Sequence, residues 1–414
     1  MGSYSSLRFD DIDVWVCKSV VPDTFVSLFQ ERDRRVIPAR DPADEDEDDD
    51  LEQTIYVAPR DVVLHRLSVM GFTSHASRRA FEDWRAGERE MYEEWVEEGS
   101  DWAQSGADAI RLLTYEEWNA RVSAILRNRF DLDIGEEEVD EIEKKMRSRE
   151  GEWLFFEADD QRTVIRALLD ACPDVQDVIL DISDLIEGGW LEEGAQVCRD
   201  RREPGALIRP ALEPTIIMAE GSSDIRVLRH SLKALYPDLT EYFSFFEHEE
   251  LSVDGGASYL VKFLKAFAAA RMPPRIVAIF DNDTAGLQAF ETARALNLPS
   301  NFRVLRLPDI EIARAYPTIG PQGEHEVNVN GRAASIELYL GSQNFQSPDG
   351  RVIPVRWTGY VSAANEYQGA IENKAEVVRA FERELATIND PLHARTLHPE
   401  LVAIWEMIFA ALEQ

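Results

Sequence analysis

The spacing of hydrophobic residues divides the chain into two parts near residue 205. Before that point, apolar residues mostly recur three and four positions apart, which is typical of one face of an α-helix. After it, short apolar runs alternate with helical segments, which is typical of βαβ units around a parallel sheet. The stretch Cys198–Pro214 between the two parts is rich in Pro, Gly and Arg. We therefore predict an N-terminal domain over residues 1–205 and an α/β domain that begins at residue 213.

The N-terminal domain is predicted to be a mostly helical α+β fold. It opens with a strand over Leu7–Lys18, where apolar and polar residues alternate, and a short helix over Thr24–Glu31 follows. Residues 59–150 carry helical spacing, and the sequence TYEE at Thr114–Glu117 has the spacing of a capping box at a helix start. A last strand or short helix is expected over Val178–Leu185.

The second part is predicted to be a parallel sheet flanked by helices, over residues 213–345, followed by a helical extension over 346–414. The extension includes a stretch of mixed pattern and closes with helices at Lys374–Thr387 and His398–Glu413. The predicted strands of the sheet are Thr215–Glu220, Glu241–Glu249, Arg275–Asp283 and Phe302–Pro308. The predicted helices between them are Ser222–Tyr236, Gly256–Arg271 and Thr284–Asn297.

Composition restricts the class of protein more than it specifies a function. The 414 residues carry a net charge of −34, which excludes a general basic coat for nucleic acid. The acidity is concentrated in the N-terminal half, since residues 213–345 hold 12 Lys and Arg against 17 Asp and Glu. The acidic segment Asp41–Glu52 is expected to be a solvated loop, because crowded like charges repel and bury nothing. No apolar run is long enough for a membrane span and no secretory pattern is present, so we expect a cytoplasmic protein.

Acidic residues follow two of the predicted strands where each strand ends. Glu220 closes the first strand, and Asp224 lies in the first turn of the helix after it. Asp281 and Asp283 close another strand, and their spacing of two places both side chains on one side of an extended backbone. In open α/β sheets, ligands collect at the carboxyl ends of the strands. We therefore expect these four acids to lie together at one edge of the sheet.

Four carboxylates at one edge repel one another unless cations lie between them. Carboxylate oxygens are the hard ligands that Mg²⁺ or Mn²⁺ prefers, and two ions at such a site can activate water and neutralise a phosphate. The Asp-Asn-Asp sequence alone would be typical of a capped loop. It is the combination of Glu-Gly-x-x-Asp with Asp-x-Asp, 61 positions apart between Glu220 and Asp281, that favours a metal site.

This combination resembles the Toprim domain of topoisomerases, primases and the nucleases of the overcoming-lysogenization-defect family. The resemblance covers about Thr215–Gly341 and implies that Glu220, Asp281 and Asp283 are catalytic metal ligands. In the nuclease branch it implies a further ligand at Asp224, a downstream acid at Glu337 and a catalytic lysine at Lys374. The implied activity is metal-dependent hydrolysis of a phosphodiester bond in DNA or RNA such as tRNA.

The first 200 residues resemble a module found fused to HEPN or Toprim nucleases in bacterial conflict systems. The resemblance rests on the start MGSYSSLRFDDIDVWVCKS, on RLSVMGFTS and on the VILD and EGGW stretches. It implies an anti-phage defence setting in which this domain acts as a sensor or adaptor. No GxxxxGK[ST] motif is present, so any nucleotide control would need a separate partner ATPase.

The expected mechanism gives each candidate residue a role. Glu220, Asp281 and Asp283 would be the main ligands, Asp224 and Glu337 would complete a second ion site or orient water, and Lys374 would offset charge on the scissile phosphate. Arg226 and Arg229 are candidates for contacts with the nucleic-acid backbone, although exposed helix cations usually have no such role.

Two other function classes remain open from the sequence. The α/β domain could be a non-catalytic binding or regulatory module, although intact acids at five positions weigh against it. Arg60 and His65 match the R-x4-H spacing of HEPN ribonucleases, which would cleave RNA without added metal; a match of this kind is also expected by chance. The sequence does not decide whether the substrate is DNA or RNA, and it does not decide whether the protein is a homo-oligomer.

Overall fold

The computed structural model describes residues 2–38, 52–100, 102–128, 140–148, 153–202, 210–247, 256–346, 350–362 and 364–413. The chain divides into an N-terminal unit, Met1–Leu212, and a C-terminal unit, Glu213–Leu412. The predicted acidic loop Asp41–Glu52 lies outside the described residues except for Glu52.

An antiparallel sheet forms one part of the N-terminal unit, with its strands in the order β2-β1-β5-β4-β3. The strands are β1 Tyr4–Phe9, β2 Ile12–Lys18, β3 Arg34–Pro38, β4 Glu52–Pro59 and β5 Asp177–Asp181. The single strand predicted over Leu7–Lys18 was wrong, because the chain turns at Asp10 and β1 pairs with β2 as a hairpin. Asp10 has φ 53°, a left-handed conformation that Asp tolerates in turns. Strand β5 lies between β1 and β4, far apart in sequence, and so joins the two ends of this unit.

Helices form the rest of the N-terminal unit, as predicted. They are α1 Asp23–Val26, α2 Arg60–Val69, α3 Ser74–Glu97, α4 Ala103–Leu112, α5 Tyr115–Arg127, α6 Glu141–Met146, α7 Gln161–Ala171, α8 Ser183–Glu187 and α9 Val197–Asp200. Thr114 caps α5 by accepting a hydrogen bond from the backbone N–H of Glu117, at the predicted helix start. Aromatic side chains fill the core, where Phe81 contacts Trp118 at a ring separation of 5.7 Å.

The C-terminal unit contains the predicted parallel sheet flanked by helices. The strands of this sheet are β6 Thr215–Ala219, β7 Phe243–Phe245, β8 Ile276–Phe280 and β10 Phe302–Arg306. They lie in the order β10-β8-β6-β7 and every pair is parallel. The two-residue strand β9 Asn282–Asp283 follows β8 and is not part of the sheet. The intervening helices are α10 Ser222–Leu235, α11 Ala257–Ala269 and α12 Thr284–Arg294. All five residues of β8 are buried, which is why this strand reads as a continuous apolar run.

A second, four-stranded sheet in this unit was not predicted. Its strands are β11 Tyr316–Gly320, β12 Gly323–Val327, β14 Val355–Val361 and β15 Glu366–Ile371, and the two-residue strand β13 Ala333–Ala334 pairs with β9. The order in the sheet is β12-β11-β14-β15. Apolar and polar residues do not alternate regularly along these strands, so their strand pattern is weak.

Three helices close the C-terminal unit, after the hairpin β14–β15. They are α13 Lys374–Leu385, α14 Pro391–Leu397 and α15 Pro399–Leu412, so a short helix stands between the two that were predicted. The indole of Trp405 on α15 donates to the buried Ser231 hydroxyl on α10 at 2.9 Å. None of the helices in the described ranges has the length and apolar character that crossing a bilayer requires.

Candidate active site

Glu220 and Asp281 follow two strands that are neighbours in the parallel sheet. Strand β6 pairs with β8, with Ala219 opposite Ile279, so the residues just beyond the two strand ends lie side by side. The backbone N–H of Asp281 donates to Oε1 of Glu220 at 3.0 Å. The sheet register therefore brings together two acids that are 61 positions apart in the sequence.

Asp224 lies in the first turn of α10, directly after the turn at Gly221. Its side chain is buried, and its Oδ2 accepts the backbone N–H of Gly221 at 2.8 Å. Burial raises the pKa of Asp224 to about 7, and the negative charge of Glu337 adds to this effect. The position at a helix N-terminus favours a carboxylate here, because the helix dipole is positive at this end.

Asp283 is the N-cap residue of α12. Its Oδ1 accepts the backbone N–H of Gly286 at 2.7 Å, and its Oδ2 accepts the amide Nε2 of Gln368 at 2.5 Å. Gln368 belongs to β15, one of the strands that the sequence pattern did not reveal. Its Oε1 also accepts a hydrogen bond from the backbone N–H of Ala285 at 3.0 Å, so both the nitrogen and the oxygen of this amide contact the start of α12.

Gly286 allows the start of α12 to approach the acids. A Cβ at this position would lie 2.4 Å from the carbonyl oxygen of Asp281 and 2.8 Å from Oε1 of Glu220. Both distances are too short for carbon and oxygen, and the first involves backbone, which cannot move away without shifting the loop. The absence of a side chain at residue 286 is therefore a condition for the observed site.

Replacing Gly286 by Ala is expected to lower the free energy of unfolding by about 1–3 kcal/mol, because the added methyl group overpacks the site. Chemical denaturation of both proteins measures this difference. Gly87→Ala in α3 is the matched control, since its Cβ would meet nothing within 4 Å. It should stabilise the protein by about 0.5–1 kcal/mol, as Ala does relative to Gly inside a helix. Equal stability of Gly286→Ala and the wild type would show that the loop at Asp281 can move to make room for the methyl group at little cost in free energy.

Glu337 and Lys374 meet beside these acids. Glu337 is 2% exposed, in a 3₁₀ turn over Ile336–Tyr339, and its Oε2 lies 3.1 Å from Nζ of Lys374. The hydroxyl of Ser335 donates to the same oxygen at 2.5 Å and accepts Nζ at 3.1 Å. Lys374 is the first residue of α13, and its side chain remains 44% exposed. The lysine thus folds back toward the acids, with one face open to solvent.

Through their charges, the five acids and Lys374 affect the pKa values of Glu220, Asp224, Asp281 and Lys374. The pKa of Glu220 is raised to about 8, mainly by burial and also by the charges of Asp283 and Asp224, while the hydrogen bond from Asp281 opposes the rise. Burial also raises the pKa of Asp281 well above its usual value, and the other four acids contribute in the same direction. For Lys374, burial alone would lower the pKa, but the carboxylates of Glu337 and Asp281 outweigh it and raise the pKa. The site is a concentration of negative charge that one ammonium group only partly offsets.

The chemistry of the donors fits a hard divalent cation, since five carboxylates converge where water is largely excluded. Within the described ranges, however, no group of three or more His, Cys, Asp or Glu side chains is arranged so that it could hold a metal ion. One carboxylate oxygen each of Glu220, Asp224 and Asp283 accepts a hydrogen bond from a backbone N–H. Binding an ion would replace some of these donors.

The two arginines expected to contact nucleic acid are already paired with glutamates. Nε of Arg226 lies 2.8 Å from Oε1 of Glu382, and the guanidinium of Arg229 forms an ion pair with Glu247. Both side chains are about half exposed on α10. Their positive charges are therefore offset locally in the free protein, and their contact with nucleic acid stays a prediction.

Arg60 has a structural role in the N-terminal unit. Its Nη2 and Nε donate to the carbonyl oxygen of Leu169, near the end of α7, at 2.9 and 3.2 Å, and its side chain is only 16% exposed. A guanidinium held at a helix C-terminus stabilises that end of the helix. This arrangement gives the R-x4-H spacing a structural explanation that requires no catalysis.

A buried polar network below the acids was missed by the sequence analysis. Asn282, fully buried between the two aspartates, donates to Oδ1 of Asp309 at 2.9 Å and accepts from Arg306 and from the N–H of Gly331. It holds the loop in position, since a satisfied buried amide fixes a single geometry. The only signal in the sequence was the amide between two acids.

Comparison with known proteins gives one finding. Residues 1–203 match the family model described as HEPN/Toprim N-terminal domain 1. This supports the resemblance of the N-terminal half to a module associated with HEPN and Toprim nucleases, and it hints at a nuclease-type role. Neither the curated proteins nor the solved structures include a match to this chain.

Proposed function

We propose that the protein is a metal-dependent endonuclease that hydrolyses phosphodiester bonds of nucleic acid. The observation that carries the proposal is the grouping of five acids around the ends of the adjacent parallel strands β6 and β8, with a lysine paired to one of them, Glu337. These residues are Glu220, Asp224, Asp281, Asp283, Glu337 and Lys374. Such a concentration of desolvated like charge lowers stability, and it is typical of sites that are retained for chemistry.

Each residue has a definable part in the reaction. Glu220, Asp281 and Asp283 would hold the main ion, and Asp224 and Glu337 would complete a second ion site or orient the attacking water. When bound, Mg²⁺ or Mn²⁺ lowers the pKa of water and neutralises the phosphate and the leaving oxygen. Lys374 would add a positive charge next to the phosphate where charge develops, and its raised pKa keeps it protonated.

The proposed setting is anti-phage defence in the cytoplasm, with the N-terminal unit as sensor or adaptor. The family match supports only the association of the N-terminal unit with HEPN and Toprim proteins, which its description names. The chain lacks a phosphate-binding GxxxxGK[ST] loop, so a separate ATPase or sensor protein would supply any nucleotide control. A homo-oligomer is compatible with the proposal.

A metal-independent ribonuclease built on Arg60 and His65 is the less favoured alternative. The guanidinium of Arg60 is held by the carbonyl oxygen of Leu169, and this leaves it poorly placed to contact a phosphate. A non-catalytic binding module is also less favoured, because a binding scaffold gains nothing from the repulsion among the buried acids.

The direct test is incubation of the purified full chain with supercoiled plasmid and with total RNA, in Mg²⁺, Mn²⁺ or EDTA. The proposal expects cleavage of at least one substrate with either metal and no cleavage in EDTA. Cleavage of RNA that persists in EDTA would favour the Arg60 and His65 alternative. If a partner or trigger controls the enzyme, metal binding can still be tested alone, as follows.

Mn²⁺ or Mg²⁺ is expected to raise the melting temperature of the protein, because a bound cation relieves the repulsion among the acids. At a concentration of about 100 times Kd, binding adds about 2.7 kcal/mol to the free energy of unfolding. Differential scanning fluorimetry with and without EDTA measures the shift, and Glu220→Gln should remove most of it. A shift of the same size in Glu220→Gln would place the ion elsewhere.

A further inference from the structure

A cavity of about 350 Å³ lies on the second sheet of the C-terminal unit, between the hairpin β11–β12 and the hairpin β14–β15. We call it the hairpin cavity, and its lining includes Gly320, Gly323, His325, Arg332, Trp357 and Tyr367. Its volume is within the range of sites that bind small organic groups. The mechanism described above makes no use of it.

Aromatic rings form one wall of the hairpin cavity and continue onto the surface beside it. The ring of Tyr367 is 6.3 Å from that of Trp357 and 5.2 Å from that of Tyr360. Tyr367 is 53% exposed and Tyr360 is 51% exposed. Neighbouring aromatic rings that remain open to solvent are typical of a surface that binds a flat apolar group.

The hairpin cavity is joined directly to the acids by hydrogen bonds. The carbonyl oxygen of Tyr367 accepts the hydroxyl of Thr284 at 2.8 Å, and the side chain of the next residue, Gln368, donates to Asp283 at 2.5 Å. Arg332, on another wall, forms a backbone bridge with Asp283. The cavity therefore shares strand β15 and the backbone at Arg332 with the contacts that position Asp283.

The charged side chains that line the hairpin cavity are those of Arg332 and Glu366. Arg332 pairs with Glu366 at 2.9 Å, and both side chains are partly exposed, at 42% and 32%. An exposed ion pair of this kind opens at little cost, which frees the guanidinium for a phosphate or for stacking. His325 adds a second nitrogen-bearing side chain to the lining.

We propose that the hairpin cavity binds an unpaired nucleobase of the strand whose phosphate lies at the carboxylate site. The base would stack on Tyr367 and Trp357, and Arg332 would contact the adjoining phosphate. The inference rests on the proposed nuclease function and adds the substrate class, which is single-stranded or locally unpaired nucleic acid. Every base has an aromatic face, so stacking selects unpaired strands without selecting a sequence.

Duplex substrates should bind less well, because their bases are stacked on one another and must first be turned out of the helix. That step costs a few kcal/mol for a paired base and little or nothing for one that is already single-stranded. Stacking applies to DNA and RNA alike, so oligonucleotides of both kinds belong in the test.

The test is the affinity of the full chain for fluorescein-labelled oligonucleotides, measured by fluorescence anisotropy in EDTA so that nothing is cleaved. Single-stranded DNA, single-stranded RNA and the corresponding duplexes are compared. Tyr367→Ala is expected to weaken binding of the single strands by about 5- to 150-fold, the effect of losing one stacked base. Tyr367→Trp should retain the affinity, since it keeps a stacking ring.

Trp190→Ala is the matched control, because Trp190 is an aromatic residue of similar exposure, at 60%, in the N-terminal unit. It should bind as the wild type does. Tyr367 is the better first target than Trp357, which packs where Gly320 and Gly369 leave room for it. Wild-type affinity in Tyr367→Ala, equal affinity for single strands and duplexes, or no binding by the wild type would each overturn the inference.

The outcomes separate this inference from the proposed function. Glu220→Gln removes a proposed metal ligand, so it should lose the metal-induced rise in melting temperature and still bind single strands in EDTA. Should Tyr367→Ala bind normally while Glu220→Gln loses the metal effect, the base site is refuted and the metal site stands. Should the metal effect be absent from the wild type while Tyr367→Ala loses affinity, the base site stands without the nuclease.

Discussion

Asp281→Asn is expected to abolish metal-dependent cleavage while making the metal-free protein more stable. The carboxylate of Asp281 is largely excluded from water and faces four other acids, so its charge is unfavourable in the folded state without a cation. The amide has nearly the same shape and no charge. Loss of a ligand that supports several kcal/mol of transition-state stabilisation corresponds to a decrease in rate of about 10³-fold or more.

The stability gain distinguishes this result from simple unfolding. Glu220→Gln should behave in the same way, and we expect each variant to gain about 1–3 kcal/mol in the free energy of unfolding in EDTA. Chemical denaturation and the cleavage assay are measured on the same preparations. Glu291→Gln is the matched control, because Glu291 is 62% exposed on α12 and should change neither quantity. Normal cleavage by both Asp281→Asn and Glu220→Gln would refute the assignment of the site.

Lys374→Met is expected to decrease the cleavage rate by about 10²- to 10³-fold while metal binding is retained. The ammonium group is held 3.1 Å from Glu337 and stays protonated, so its role would be to offset charge on the phosphate in the transition state. Met keeps the length of the side chain and removes the charge. The cleavage rate at saturating substrate and the metal-induced rise in melting temperature are the two measurements.

A structural role of Lys374 is separable from a catalytic one. Lys374→Met leaves the buried carboxylate of Glu337 without its cation, which lowers stability. The double variant Lys374→Met/Glu337→Gln removes both charges and should recover the stability, while its cleavage rate should stay below that of Glu337→Gln alone. Lys233→Met, at an exposed position on α10, is the control. Equal cleavage rates of the double variant and Glu337→Gln would mean that the lysine acts only by compensating Glu337.

The elements of the parallel sheet could be predicted because each carries its own strong pattern. Strand β8 is buried on both faces, so its five apolar residues between polar ends identify it without any partner. The start of α5 was also readable, since Thr114 caps that helix through a contact within three residues. The hairpin at Asp10 was missed because the alternation of apolar residues continues on both sides of a turn of only two residues.

Some contacts of the candidate site could be predicted from the sequence and others could not. Glu220 and Asp281 could be expected to meet, because parallel neighbouring strands end at one edge and the acids directly follow them. Two other contacts could not be expected from the sequence. Gln368 and Asp283 are 85 positions apart, and Lys374 and Ser335 are 39 positions apart. The hairpin cavity depends on β11, β12 and β15, whose irregular order of apolar and polar residues gave no signal.

The amino-acid order alone therefore determined the helices, the buried strands and the acids that follow them, because these depend on the periodicity and side-chain chemistry of short segments. Only the tertiary structure decided which oxygens accept from backbone donors, that Lys374 folds back onto Glu337, and that the exposed aromatic ring of Tyr367 lies on the strand whose Gln368 contacts Asp283. These features depend on contacts between segments far apart in the chain. Such contacts are fixed by packing and by hydrogen-bond geometry, which leave no periodic trace in the sequence.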